Sequence, residues 1–431
     1  VLPVDWLPRA QALPAFTTIY HVVFLPTFRE PLSILRTTFE SLKKSRYPLD
    51  HMIVVLAGEE RDREDFLKNA QTLSAEYGAV FGHLLITLHP ANIVCEMAGK
   101  GANIAWAGKK AQELIDQLKL PYENVVVSSF DVDTCPHENY FAYLTYVYLT
   151  TPDNLHSSYQ PVAVYNNNMW HSPALMRVIA NSTTFWLLTD LARPERLFTF
   201  SSHSMPFRAL VDVGFWQNDI VTEDSRIFLQ CFVHYNGNYR VTPLYLPVSM
   251  DTVYTGDFWR SVVSQYKQQR RWAYGVENFP YMAYHFWRSR TIPFNKKFRY
   301  VWNQLEGVYS WATAPLIIFI LGRLPLAMAD TQTKSTLLAH NAPYALQWLM
   351  NIAMLGLFFS AMLSTVLLPK RPEEKHWILY GSMILQWALF PFCMILFGAV
   401  PSTDAQTRLM LGKYLGFWVT EKKSTSLSIP A

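Results

Sequence analysis

A chain of 431 residues exceeds the usual length of one domain, so a folded head plus a second module is expected. Half of its residues are hydrophobic and only 16% are charged, which is too apolar for an ordinary two-domain cytosolic protein. The net charge of +4 is mild and no dense Lys/Arg run is present, so nucleic acid is excluded as a partner.

Short β-branched runs that end in turn-type residues occur at 19–27, 51–58, 84–88 and 124–133. Between them, 30–45 and 98–118 carry apolar residues at three- and four-residue spacing and predict helices. Alternating strands and helices predict an α/β fold with a parallel, doubly wound sheet, whose ligands bind beyond the carboxyl ends of the strands. The apolar excess gathers after about residue 300, where 306–323, 343–368 and 376–400 are candidates to enter a bilayer. The second carries no charge and is long enough to span. The third contains Pro391, which would kink or break a helix. The first is the weakest, with Pro315 inside it and Asn303, Gln304 and Glu306 at its start. Arg288, Arg290, Lys296, Lys297 and Arg299 precede the first segment, and Lys370, Arg371 and Lys375 lie between the other two, as cytoplasmic flanks do. No secretory signal peptide opens the chain, and its start at Val1 leaves room for an upstream membrane segment. Cys95, Cys135, Cys231 and Cys393 form no CxxC pair and point to neither zinc nor a disulfide framework; free thiols fit a reducing cytoplasm.

Three polar clusters fall at or after strand ends. Asp131-Val132-Asp133 closes the run at 124–133, and two carboxylates there can reach one divalent cation that bridges a diphosphate. A solvated Asp-rich turn reads the same way. Thr222-Glu223-Asp224 offers a carboxylate base for an attacking hydroxyl, or an N-cap with acids in the first turn. Gln268, Arg271 and Trp272 share a helix face at i, i+3 and i+4. Arg271 suits a diphosphate and Trp272 a sugar ring, while a basic interfacial helix gives the same pattern. His203 is the histidine nearest such a site, although a structural role fits it better; Trp170 and Trp216 read as packed aromatics.

In order and spacing, PTFRE (26–30), GKGANIA (99–105), DVD (131–133), VGF…TED (213–224) and QQRRW (268–272) resemble the family 2 glycosyltransferases of the cellulose, chitin and hyaluronan synthase type. FWVTEK (417–422) is similar to the FxVTxK gating loop of cellulose synthases. The resemblance implies a GT-A (Rossmann-like) cytoplasmic glycosyltransferase domain over 1–290, with interfacial helices at its end. Two or three transmembrane helices over 291–400 and a cytoplasmic amphipathic segment with the loop over 401–431 would follow. It implies that Thr27 and Glu30 contact the base or ribose, that Lys100 approaches the nucleotide or diphosphate, and that Asp131 touches the nucleotide. Asp133 would hold Mg2+ or Mn2+, and Asp224, beside Glu223, would be the base. Gln268, Arg271 and Trp272 would line the diphosphate and acceptor end, and Thr420 and Lys422 would close over the donor. One departure stands out: the family carries an Asp at the end of the second strand, where this chain has Ala57 and Gly58, so Glu59 or Glu60 would have to substitute.

The implied activity is inverting transfer from a nucleotide-sugar, foremost a UDP-sugar, to a growing polysaccharide at the plasma or inner membrane. A non-processive enzyme acting on a lipid or short glycan, and an inactive nucleotide-sugar-binding subunit, are the alternatives; accessory subunits are not named by the sequence. Three full spans would leave the 417–422 loop outside the cytoplasm. Two crossings are therefore expected, with either 306–323 in the interface or 376–400 folded back at Pro391.

Overall fold

The computed structural model describes residues 4–321, 324–369 and 378–416. Its centre is an eight-stranded sheet in the order β3-β2-β1-β4-β7-β6-β8-β5. The strands are β1 (Tyr20–Pro26), β2 (Met52–Glu59), β3 (His83–His89), β4 (Val125–Ser129), β5 (Cys135–Pro136), β6 (Ser157–Val164), β7 (His203–Pro206) and β8 (Arg240–Ser249). β1 runs parallel to both β2 and β4, and β2 parallel to β3. β1, β2 and β4 are almost wholly buried, which is why β2 is apolar from Met52 to Gly58 and β4 opens on three valines instead of alternating, whereas β3 is only partly buried. The helix Leu32–Lys43 packs Ile34, Leu35, Phe39 and Leu42 into the core, and Lys100–Gln117 packs Ile104, Ala107, Ala111 and Ile115.

Two expectations change. The sheet is mixed, because β7 runs antiparallel to both β4 and β6 and β5 antiparallel to β8, while β6 and β8 pair parallel. The strand read at 124–133 stops at Ser129, so Asp131-Val132-Asp133 lies in the turn that follows, closed by the Thr134 N–H on the Asp131 carbonyl at 2.9 Å. In the order β3-β2-β1-β4 the chain reverses direction between β1 and β4. A crevice therefore opens at their carboxyl ends, where Thr27 and Asp131 emerge.

Two helices are long and apolar enough to cross a membrane, Leu337–Val366 and Leu379–Met410. Only 11% of the apolar stretch of the first is buried, whereas a core helix would be mostly enclosed. Among the described residues, 306–321 is not long and apolar enough to be a third. It belongs to the helix Phe294–Leu316, where Pro315 interrupts the i→i−4 pattern and the chain widens into a π turn at Ile317–Leu321. The run Leu379–Met410 does not fold back at Pro391. A 3-10 turn at Gln386–Leu389 and a π turn at Met394–Ala399 absorb the missing bond, and Cys393 and Phe397 pack on Met176, Val178 and Ile179 of the helix Ala174–Leu191.

Packing explains the departure at the end of β2. A Cβ on Gly58 would lie 2.4 Å from the Phe66 ring, so this position accepts no larger side chain while Phe66 fills it. Gly58→Ala is expected to destabilise the head by about 1–3 kcal/mol through overpacking, and Gly58→Ala/Phe66→Leu to recover part of that loss, as read from thermal unfolding.

Candidate active site

The first cluster is built from the ends of β1 and β2. The Thr27 N–H donates to the Ala57 carbonyl at 2.8 Å, continuing the β1–β2 ladder one residue past the strand. The Thr27 hydroxyl donates to Glu30 at 2.8 Å and the Phe28 N–H to the same oxygen at 2.5 Å. Burial pushes the Glu30 carboxyl up to about 7 against those two hydrogen bonds, and the nearby Asp133 charge adds to the rise. Thr27 and Glu30 thus form one unit facing Asp133. Glu59, the last residue of β2, is buried and takes the Arg61 Nε–H at 2.9 Å. The Arg61 guanidinium lies 4.5 Å above the Phe28 ring and that of Arg29 5.0 Å from it. Glu59 therefore stands at the predicted corner, but as half of an ion pair. Glu60 instead accepts the Ala91 N–H at 2.8 Å.

The second cluster centres on Lys100, the first residue of its helix. Its ammonium lies 2.7 Å from both Asp131 and Asp224 and 3.7 Å from Glu223. Burial opposes the Lys100 charge, but Asp131, Asp224 and Glu223 outweigh it and hold the ammonium well above its ordinary range. Burial, with the Asp224 charge next, pushes the Glu223 carboxyl above its ordinary range. Close approach is allowed by Gly101, where a Cβ would meet the Gln217 carbonyl at 3.0 Å and Glu223 Cβ at 3.3 Å. Ser201 donates to the other Asp131 oxygen at 2.6 Å. Asp224 gives Oδ2 to Lys100, while its Oδ1 has no hydrogen-bond partner among the described residues. His203 lies 3.9 Å from that Oδ1, fully buried, with Nδ1–H donated to the Phe200 carbonyl at 2.9 Å. Burial lowers the His203 pKa more than Asp224 raises it, so the ring is neutral and structural.

Thr222 does not cap its own helix. Its hydroxyl donates to Glu277 at 2.5 Å, and no side-chain cap bond forms at the start of Glu223–His234. In the helix Phe258–Ala273, Gln268 is buried and accepts from Gln265 at 3.2 Å. Gln268 and Trp272 line a small cleft with Tyr165, Asp251, Thr252 and Gln265. Arg271 is half-buried, and its charge acts on both Tyr165 and Glu223. Burial and the charges of Asp131 and Asp133 push the Tyr165 hydroxyl up, which puts this cleft beside the carboxylates.

Among the described residues, no three His, Cys, Asp or Glu side chains converge closely enough to hold a metal by themselves. The donor set is all oxygen, however, and Asp131 and Asp224 already close around a cation, the Lys100 ammonium. Asp133, nearly buried, takes the Asp251 N–H on one oxygen at 2.9 Å. These carboxylates fit a hard cation whose shell is completed by oxygens from a ligand.

Several supports carried no signal in the sequence. Asn103 donates to the Ala57 carbonyl at 2.8 Å, fixing the end of β2. Asn168 grips Thr252 through its N–H at 2.8 Å and its carbonyl at 3.0 Å, and Asn167 donates to the Asp133 carbonyl at 3.2 Å. The run of three Asn at 166–168 was the visible clue. Thr420 and Lys422 lie outside the described residues.

No protein-family model matches the chain, and no curated protein matches it in sequence. Solved structures do. A mannosyltransferase from Pyrobaculum calidifontis, in complex with GDP-mannose and Mn2+, is similar with a TM-score of 0.50 and 13% identity over 86% of each chain. TarS 1–349 of S. aureus with UDP-GlcNAc is similar with a TM-score of 0.42 and 11% identity, over 92% of this chain and 93% of that one. The likeness to the mannosyltransferase is one of fold: the two chains share a mixed α/β architecture.

Glu30 sets a pH dependence. Its folded pKa is about 7 against an ordinary 4.5, so its favourable contribution is full below 4.5 and lost as pH rises through 7. Glu30→Gln should therefore gain stability relative to the parent as pH rises from about 4.5 to 7, seen as a growing difference in Tm. A constant difference would reject the buried carboxylic acid.

Proposed function

We propose that this chain is a membrane-bound inverting glycosyltransferase of the family 2 synthase type, moving a sugar from a nucleotide-sugar, foremost a UDP-sugar, to a growing polysaccharide. One observation carries the reading: the turn after β4 and the helix start at Thr222-Glu223-Asp224 meet on one ammonium, leaving Asp224 Oδ1 without a hydrogen-bond partner among the described residues. Asp224 takes the proton of an acceptor hydroxyl on Oδ1, that oxygen attacks the anomeric carbon, and the bond to the diphosphate oxygen breaks on the opposite face. An α-linked donor gives a β-linked product. Lys100 turns from the carboxylates toward the incoming diphosphate, which frees Asp224 Oδ2. Thr27, Glu30 and Glu59 face the nucleoside, and Asp131 its ribose or diphosphate. Gln268, Arg271 and Trp272 line the acceptor end, with the Trp272 ring as a platform for a sugar.

Asp133 is the residue that would hold Mg2+ or Mn2+, and such an ion neutralises the departing diphosphate. The mannosyltransferase of similar fold, solved with GDP-mannose and Mn2+, supports that class of donor and metal. Membrane attachment is supported by the exposed apolar surface of Leu337–Val366. Phe294, Phe298, Trp302 and Tyr309 are also exposed, at four- to seven-residue spacing along one helix beside Arg288, Arg290, Lys296 and Lys297. This pattern fits an interfacial helix on the cytoplasmic side.

A screen of nucleotide-sugars for turnover, with sizing of the labelled product, tests the reading; single additions would reject the polymer. Asp224→Asn is expected to lower turnover by roughly 10²–10⁴-fold while nucleotide binding persists, and full activity in that variant would remove Asp224 as base. Asp133→Ala should weaken nucleotide binding in the presence of Mn2+ and leave metal-free binding nearly unchanged.

A further inference from the structure

Glu277 belongs to no motif singled out in the sequence, yet it is a buried carboxylate with both oxygens engaged. It ends the short 3-10 turn Tyr274–Glu277 that follows the helix carrying Gln268, Arg271 and Trp272, and it is 6% exposed. One oxygen accepts the Thr222 hydroxyl at 2.5 Å, and the other accepts the Tyr414 hydroxyl at 2.6 Å. Its backbone carbonyl accepts Arg226 Nη2 at 3.2 Å, while Arg226 Nε reaches Asn278 at 2.7 Å and Nη1 reaches Gln217 at 2.8 Å. Three stretches far apart in the chain therefore meet on one side chain.

We propose that Glu277 is a positioning residue that ties the end of the last helical module, through Tyr414, to the loop that aims Asp224. Thr222 immediately precedes Glu223-Asp224, and it gives Glu277 the hydroxyl that would ordinarily cap its helix. The helix start is thus held from outside, by a carboxylate whose second oxygen depends on Tyr414. The Tyr414 ring stands edge-on to Tyr274 at 5.2 Å, and Leu415 packs against the cluster of Val221, Ala273, Tyr274 and Ala405. A displacement of residues 414–415 therefore acts on the loop at 221–224 by two routes, one polar and one apolar. Misplacing a reacting group by about 1 Å is enough to cost on the order of 100-fold in rate. The consequence for turnover rests on the transferase reading; the physical tie does not.

The test uses the full chain in detergent or lipid discs. Tyr414→Phe removes one exposed hydroxyl and leaves the ring, so folding is retained. It is expected to speed backbone hydrogen exchange over residues 221–226, and Thr222→Val to do the same, while Thr222→Ser matches the parent. Unchanged exchange at 221–226 in Tyr414→Phe overturns the proposal whether or not any sugar is transferred. Where the parent turns over a donor, Tyr414→Phe and Glu277→Gln should lower kcat by roughly 10–100-fold with donor KM within about twofold. The double variant Thr222→Val/Tyr414→Phe should lose no more than the worse single one, and losses that multiply would mean two independent contacts instead of a tie. Absence of turnover in the parent with every donor would fail the transferase reading alone and leave the exchange result to stand.

Discussion

The Lys100 ammonium is the interaction on which the site depends. Asp131, Glu223 and Asp224 are brought together by the crevice between β1 and β4 and by the helix start that packs beside it. Three carboxylates in a partly desolvated space repel one another, and without a cation some of them must take up protons. Lys100 supplies that cation internally, and its two 2.7 Å contacts set the spacing between Asp131 and Asp224. Burial first, and the Asp224 charge next, hold the Glu223 carboxyl above its ordinary range even with Lys100 opposing them. An incoming ligand that displaces Lys100 has to bring positive charge with it, or offer the ammonium better oxygens. A metal-bound diphosphate does both.

Around this centre the supports are neutral and directional on the Asp133 side and ion pairs on the other. Asn168 holds Thr252 on both sides of its peptide unit, and Thr252 follows Asp251, whose N–H donates to Asp133. Asn166 donates to the Leu367 carbonyl at 3.1 Å and Trp170 to the Pro369 carbonyl at 3.1 Å, both just beyond the helix Leu337–Val366. The wall that carries Asp133 is thereby stitched to the end of an apolar helix. On the other side, Asp404 links Arg270 at 2.9 Å and Arg408 at 2.7 Å, fastening the helix Phe258–Ala273 to the last helical run. Amide and hydroxyl bonds suit this work, since they fix geometry without adding to an already crowded field of charge.

Much of the fold and most of the charged site were legible in the residues. Apolar runs at β1, β2 and β4 and the periodic helices between them reflect burial, which leaves a direct mark on composition. Asp131, Asp224 and Lys100 were legible because their spacing matched a known pattern, although nothing in the spacing said that they share one ammonium. The antiparallel strands were not legible, because β7 is four residues long and β5 two, too short for any period to show. Ser201, Asn103, Asn167 and Glu277 act through long-range bonds, and a contact between residues far apart in sequence leaves no local trace. Thr222 misleads for the complementary reason: its local context is that of a cap, and a tertiary partner wins its hydroxyl.

The end of β2 shows how one substitution in a pattern is absorbed. Where the resembling family has a carboxylate, Gly58 makes room for the Phe66 ring, and Ala57 lends its carbonyl to both Thr27 and Asn103. Negative charge is moved one residue on, to Glu59, and is there bound by Arg61, whose guanidinium also covers Phe28. The corner that would read a nucleobase therefore presents a flat cation over an aromatic ring with a carboxylate behind it. Such a surface offers planar groups for stacking, because Glu59 Oε2 is already committed to Arg61 while the guanidinium lies flat over Phe28. Under the proposed transferase reading, discrimination between bases at this corner would rest on whether a base edge can draw Arg61 away from Glu59, a competition between one ion pair whose arginine is partly exposed and one bidentate contact rather than the presence or absence of a single Asp.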